Sequence, residues 1–179
     1  DRDVTGVQTC ALPIFVSGIV FAEEEYNWKE VASWEVDDKG EFVEKGTQLH
    51  LTDFDGKYEV VQKGGVYAVD TIPGEGWMFL YFTIDDDILY EPPNGTPIRM
   101  QVEYFDEGIG SFAMNQTSWV QEYHWSEVVQ KKMSNKWKVY DFVITDGRFN
   151  NSGHGEYDFR VQAGEKKLAI RKIVIFVTE

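Results

Sequence analysis

The sequence predicts an all-β chain folded as two antiparallel sheets packed face to face. Three observations carry that expectation. Apolar residues alternate with polar ones over short stretches, the stretches are separated by clusters of Gly, Pro, Asn and Asp, and no long amphipathic helix interrupts them. Alternation with period two buries one side of a strand, and the turn residues supply the positive or fixed φ that a tight reversal needs.

Taken in order, the segment from Tyr26 to Trp34 admits two readings, a strand or one helical turn. "TQLHLTDF" sets Leu49 and Leu51 on one face and Gln48, His50 and Thr52 on the other, as in a sheet with one wet side. "WMFLYFTI", Trp77 to Ile84, is apolar at both parities, which predicts a central strand covered on both faces. "PIRMQVEY" points Ile98, Met100, Val102 and Tyr104 inward. Near the end, Leu168 and Ile170 share one parity while Ile173, Ile175 and Val177 share the other, so a bulge around Arg171 and Lys172 is needed to restore the facing. Trp77, Trp137 and Phe142 lie in strand patterns and are assigned to the core. Between the strands sit "DDKGE", "DFDGK", "KGG", "PGEG", "PPNGTP", "DEGIG" and "NNSGHG", each with the residues of a tight turn.

The chain has 179 residues, with 31 acids against 17 lysines and arginines and a formal charge of −14. A surface of that sign repels phosphate backbones, so nucleic acid is not an expected partner. Anionic membranes and acidic polysaccharides are disfavoured too, unless calcium or a local basic patch intervenes. No segment is long and apolar enough to predict membrane insertion.

Asp1 to Ile14 shows neither alternation nor helical periodicity and contains the one cysteine, Cys10. Its "VTGVQTCALPI" resembles one reading frame of a sequencing-library adapter joined to a metagenomic open reading frame, and residues 1–14 are set aside as an adapter-derived artefact. Without their two acids and one base the charge is −13. The next stretch, "FVSGIVFAEEE", is similar to the end of a signal peptide, with cleavage expected after Ala22; the other reading of Phe15 to Phe21 is a buried first strand. Residues 15–22 are therefore expected to be a signal-peptide remnant and residues 23–179 one β-sandwich domain, exported and bacterial in setting. No Gly/Ser/Pro linker divides them.

Three blocks extend the fold reading: "YFTIDDDILY" with "VEYFDEGIGSF", then "WKVYDFVITDGRFNNSGHGEYDFRV", then "LAIRKIVI". In content and order they resemble the galactose-binding-domain-like jelly-roll sandwiches of the carbohydrate-binding-module type, which accompany bacterial polysaccharide-processing enzymes. The resemblance implies a jelly roll, and it implies surface recognition of a polysaccharide; calcium-stabilised and purely structural members share the same frame.

Signs of catalysis are missing. His50, His124 and His154 are scattered, and the sequence has no H-E-x-x-H, G-x-S-x-G or P-loop pattern, so no catalytic residue is assigned and the chain is expected not to be an enzyme. The acid-rich turns at Asp85 to Asp87 and Asp53 to Gly56 offer carboxylates to calcium or, alternatively, cap turns and solvate a strand end; no cofactor and no metal ligand is assigned. The candidate ligand-binding residues lie in "NQTSWVQEYHWSE", where Trp119, Tyr123 and Trp125 alternate with Gln121, Glu122 and His124. Flat rings suit the C–H face of a pyranose, and the polar neighbours suit its hydroxyls. In an extended chain Tyr123 and Trp125 fall on one side. The leading expectation is a secreted, noncatalytic carbohydrate-binding module. The rival, of another class, is a structural or assembly domain whose aromatics are buried and whose edge strands meet other copies.

Overall fold

A computed structural model describes residues 26–52, 55–73, 78–153, 156–164 and 167–179. Those residues form strands and turns with no helix. One sheet contains Trp28–Val36 (β1), Phe42–Lys45 (β2), Tyr58–Lys63 (β4), Val66–Thr71 (β5), Ile98–Phe105 (β7), Trp137–Ile144 (β11) and Ala169–Thr178 (β13). Its order is β11-β7-β13-β1-β2, and the β4–β5 hairpin joins through β5 beside the start of β13. The other sheet contains Thr47–His50 (β3), Met78–Ile84 (β6), Ser111–Gln116 (β8), His124–Trp125 (β9), Val129–Gln130 (β10) and Phe159–Ala163 (β12). It runs β10-β8-β12-β6-β3, with β9 beside β10 along the same edge of β8. All strand pairings are antiparallel, and the two sheets make a jelly-roll sandwich.

The core is the space between the inner faces. Trp34, Ile98, Met100, Val102, Ile173 and Ile175 come from the first sheet; Leu80, Phe82, Met114, Phe159 and Val161 come from the second. Phe82 stacks on Phe159 at 5.0 Å and meets Trp34 edge-on at 5.5 Å, so the largest rings close the middle.

The parity argument for β7 holds at every inward position, since Ile98, Met100, Val102 and Tyr104 are all buried. The parity break near the end is a bulge: β13 pairs Ile170 with Tyr104 and then Lys172 with Glu103, so Arg171 is the extra residue. Tyr26–Trp34 resolves as the approach to and body of strand β1, whose Trp34 is fully buried. Met78–Ile84 is a strand covered on both faces, as both parities implied. Phe142 is in the core, while Trp137 is half-buried in a small satellite cluster with Ala68, Phe105 and Ala169.

One facing expectation is corrected. Thr47 and Leu49 point inward, but Leu51 is 61% exposed, because β3 ends at His50 and the chain turns where the Thr52 amide donates to the Gly56 carbonyl. Trp77, His154, Asp53 and the stretch before Tyr26 lie outside the described residues.

Candidate functional site

The outer face of the second sheet is unusual for a surface. Opposite the core-facing Met78, Leu80, Phe82 and Ile84, strand β6 turns Phe79, Tyr81 and Thr83 outward, yet Phe79 and Tyr81 are buried. Register explains what lies over them. Trp125 pairs with Asn115, Asn115 with Arg160, Arg160 with Tyr81, and Tyr81 with His50. These five residues therefore form one lateral row across β9, β8, β12, β6 and β3. At the ordinary spacing of neighbouring strands the row is about 19 Å long.

Arg160 is its centre. Its guanidinium carbon stands 4.1 Å from the Phe79 ring, 5.3 Å from Tyr123, 5.8 Å from Tyr81 and 5.9 Å from Trp125. Nε donates to Asn115 Oδ1 at 2.9 Å and Nη1 to the Tyr81 hydroxyl at 3.3 Å. That hydroxyl in turn donates to Asp55 Oδ1 at 2.9 Å. Tyr157 packs on Tyr81 at 4.8 Å and on His50 at 5.1 Å, extending the aromatic surface from the strands onto the loop before β12.

Protonation follows from these contacts. Burial pushes the Tyr81 phenol up to about 12, with Arg160 pulling the other way, so it is a neutral donor at neutral pH. Burial also holds the His50 imidazole below its ordinary value, opposed by Glu44, and leaves a neutral ring whose Nε2 lies 2.8 Å from Thr83 Oγ1. The face thus combines flat rings, amide and hydroxyl groups, one neutral imidazole and one cation.

The residues expected from sequence are divided by a hairpin. After β8 the chain turns at Ser118, whose amide donates to the Gln121 carbonyl and whose hydroxyl accepts from the Val120 and Gln121 amides. Tyr123 and Trp125 then come back on the outer face, both beside Arg160, which brings together the two rings whose spacing put them on one side. Trp119 has other partners. At the hairpin tip its Nε1 donates to the Pro92 carbonyl at 2.9 Å and its ring lies 5.0 Å from the Arg148 guanidinium, which is itself paired with Glu91 at 2.6 Å. Gln121 and Glu122 are exposed at the turn. His124 sits one residue out of phase with Tyr123 and Trp125, pairs across to Gln116, and binds Asp146 through Nδ1. It lines a cleft of about 390 Å³ with Trp125, Phe142, Ile144 and Asp146.

Phe79, Tyr81, Asn115, Tyr157, Arg160 and His50 were not singled out from sequence. The signal for Phe79 and Tyr81 was present in the double-parity apolar strand, which reads equally as a buried central strand; nothing local marks Arg160 as their neighbour, because it arrives from a strand 79 positions away from Tyr81.

The acid-rich turns are used internally. Asp85 closes its turn by accepting from the Ile88 and Leu89 amides through its carbonyl, Asp86 accepts from Asn151, and Asp55 accepts from Tyr81. Buried Asp158 receives the Ile84 amide at 2.7 Å and the Asn151 amide at 2.9 Å. Among the described residues no three His, Cys, Asp or Glu side chains converge as a metal site.

No family model matches the chain, and no curated protein matches it in sequence. Solved structures do match in fold. A CBM22-1 xylan-binding domain from Paenibacillus barcinonensis aligns with a TM-score of 0.51 at 10% identity, over 84% of this chain and 96% of that one. The CBM22-1 and GH10 modules of a Clostridium thermocellum endo-1,4-beta-D-xylanase, complexed with xylohexaose, align with the same score and identity over 84% of this chain and 28% of that one. A family 29 carbohydrate-binding module from Piromyces equi aligns at 0.47 and 13% identity over 87% and 92%. At these identities the likeness is one of fold.

Proposed function

We propose that the protein is a noncatalytic carbohydrate-binding module that holds a polysaccharide chain across the outer face of its six-stranded sheet. The observation that carries this reading is the lateral row from Trp125 to His50, flanked by Tyr123 and Tyr157. The accessible rings of Trp125, Tyr123, Tyr157 and His50 offer planes to the C–H faces of linked sugars, while Arg160 offers donors to hydroxyls. A groove that positions rings and hydrogen-bonding groups without a nucleophile is suited to holding a chain and leaving it intact. The fold it shares with xylan-binding modules supports the reading only as a suitable frame, so the site must carry it. The natural setting of such a module is outside the cytoplasm, where polysaccharide is met.

Calorimetry and affinity electrophoresis on a panel of soluble glucans, xylans, mannans and pectic glycans test the proposal. W125A and Y123A should each weaken binding by at least about tenfold and, because Trp125 is 41% exposed, W125A should leave the melting temperature within about 2 °C of wild type. W119A should act less than W125A, since its ring is engaged with Arg148 and Pro92. No retention on any glycan overturns the reading.

One observation favours the assembly alternative. Strand β11 is an edge of the first sheet and turns Val139 and Val143 outward at 53% and 55% exposure, a surface on which another copy can pair. A concentration-dependent mass in light scattering, together with absence of glycan binding, would replace the module by an assembly domain.

A further inference from the structure

The chemical class of the glycan follows from a charge that the described residues leave unanswered. Four arginines lie among the described residues. Arg99 faces Asp141 at 3.8 Å, Arg148 faces Glu91 at 2.6 Å and Arg171 faces Glu103 at 3.0 Å. Arg160 alone has no carboxylate within ion-pair distance among the described residues, in a chain with 31 acids for 17 lysines and arginines. Its two protein acceptors, Asn115 and the Tyr81 hydroxyl, are both neutral, and burial keeps the phenol protonated. Nη2 has no acceptor among the described residues. The neighbouring carboxylates are committed elsewhere: Asp55 receives the Tyr81 hydroxyl, and both oxygens of Asp158 receive backbone amides.

A half-buried guanidinium without a counterion is unfavourable, and the four rings around it offset part of that penalty. The rings also exclude water from one side, which strengthens any charge interaction made on the other. Arg160 itself lines, with Tyr81, Asn115, Tyr123, Tyr157 and the amide-bound Asp158, a small depression with room of about 10 Å³, enough for one oxygen-sized group such as a single carboxylate oxygen. A carboxylate laid against a guanidinium makes two parallel charge-assisted hydrogen bonds, a geometry that a sugar hydroxyl does not match.

We infer that this face selects glycans containing uronic acid, with a sugar carboxylate seated on Arg160 and its ring stacked against Tyr123 or Trp125. The inference rests on the proposed glycan-binding role and specifies it. It also locates the local basic patch that lets an acidic protein accept an acidic polysaccharide: the protein's net −14 repels such a chain at long range, but that repulsion is screened beyond about 8 Å at physiological salt, whereas the contact at Arg160 is made inside that distance.

The test uses oligogalacturonate and its fully methyl-esterified counterpart, which share sugar, linkage and length and differ in charge. Wild type should bind the free acid at least about tenfold more tightly than the ester. R160Q should bring the two affinities together. N115D, which keeps Arg160 but places a carboxylate against its Nε, should do the same, with near-ultraviolet circular dichroism confirming that each variant is folded. N115D also gives up the Asn115 Nδ2 bond to the His124 carbonyl, so R160K is the control for a structural effect: it keeps the charge without the planar fork and should retain a preference for the acid that R160Q loses. Equal binding of acid and ester by wild type, or a preference that survives both R160Q and N115D, overturns the inference while leaving the glycan-binding role standing. Tight binding of neutral xylan or mannan with no binding of galacturonate does so as well. No binding of any glycan overturns both.

Discussion

Tyr81 shows how one side chain can belong to the core and to the site at once. Its ring is sealed beneath Tyr157 and against Gly56, where an added Cβ would come within 2.8 Å of it, and its hydroxyl links Arg160 to Asp55. Removing that hydroxyl in Y81F leaves a guanidinium and a carboxylate each short of a partner, with an expected loss of about 1–2 kcal/mol in urea denaturation at neutral pH. The phenol also makes stability depend on pH. In the unfolded chain it ionises near 10.0, while in the folded protein burial holds its proton to about 12. Its contribution is therefore complete below pH 10 and is lost as pH rises towards 12. Urea midpoints for wild type should fall between about pH 9 and about pH 11.5, and the fall should shrink in Y81F without vanishing, since burial pushes Tyr140 up to about 12 as well.

At the level of single elements, the bulge in β13 is the most constrained feature. Before it Ile170 faces the core; after it Ile173 and Ile175 do, and one extra residue is the means by which both hold in a structure of period two. R171A loses an ion pair with Glu103 and a contact at 5.8 Å with Trp137, both near the surface, and should lower stability by about 1 kcal/mol or less. Deleting Arg171 removes the extra residue and leaves Ile170 and Ile173 two positions apart in a regular strand, both still facing the core, so that variant should also fold. Expression yield and the far-ultraviolet spectrum of the two variants check these outcomes, and a deletion variant that fails to fold would contradict the assignment of Arg171 as the extra residue.

The whole molecule is a sandwich whose two outer faces differ. On the first sheet Arg99 lies 4.1 Å from Phe176 and 5.3 Å from Trp28, with Asp141 at 3.8 Å as its ion-pair partner and its Nε without a hydrogen bond among the described residues. On the second, Arg160 lies in a corresponding cluster of rings with no described carboxylate at ion-pair distance. Around both, the formal charge of −14 makes the compact state repel itself. Raising sodium chloride from about 20 to about 200 mM should therefore raise the melting temperature by about 2–4 °C, a change on the order of 1 kcal/mol for a chain of this size. The same salt should weaken binding of galacturonate and leave binding of any neutral glycan nearly unchanged, which ties the molecular charge to the selectivity of the face.

Strand identity, the inward set of β7, the bulge near Arg171 and the common side of Tyr123 and Trp125 could all be read along the chain, because each depends on the alternation of neighbouring residues. The facing of Leu51 could not, since it is set by where β3 stops and the turn to Gly56 begins. The site was legible at one edge only. Trp125 and Tyr123 announce themselves as exposed-type aromatics in a polar stretch, but Arg160, Asn115, Tyr81 and His50 become one row through strand register, a relation between distant segments that local pattern does not encode. Folding also divided Trp119 from its neighbours by placing a tight turn at Ser118, and it was the packing of four strands that set Arg160 against Asn115 and Tyr81 with no described carboxylate at ion-pair distance.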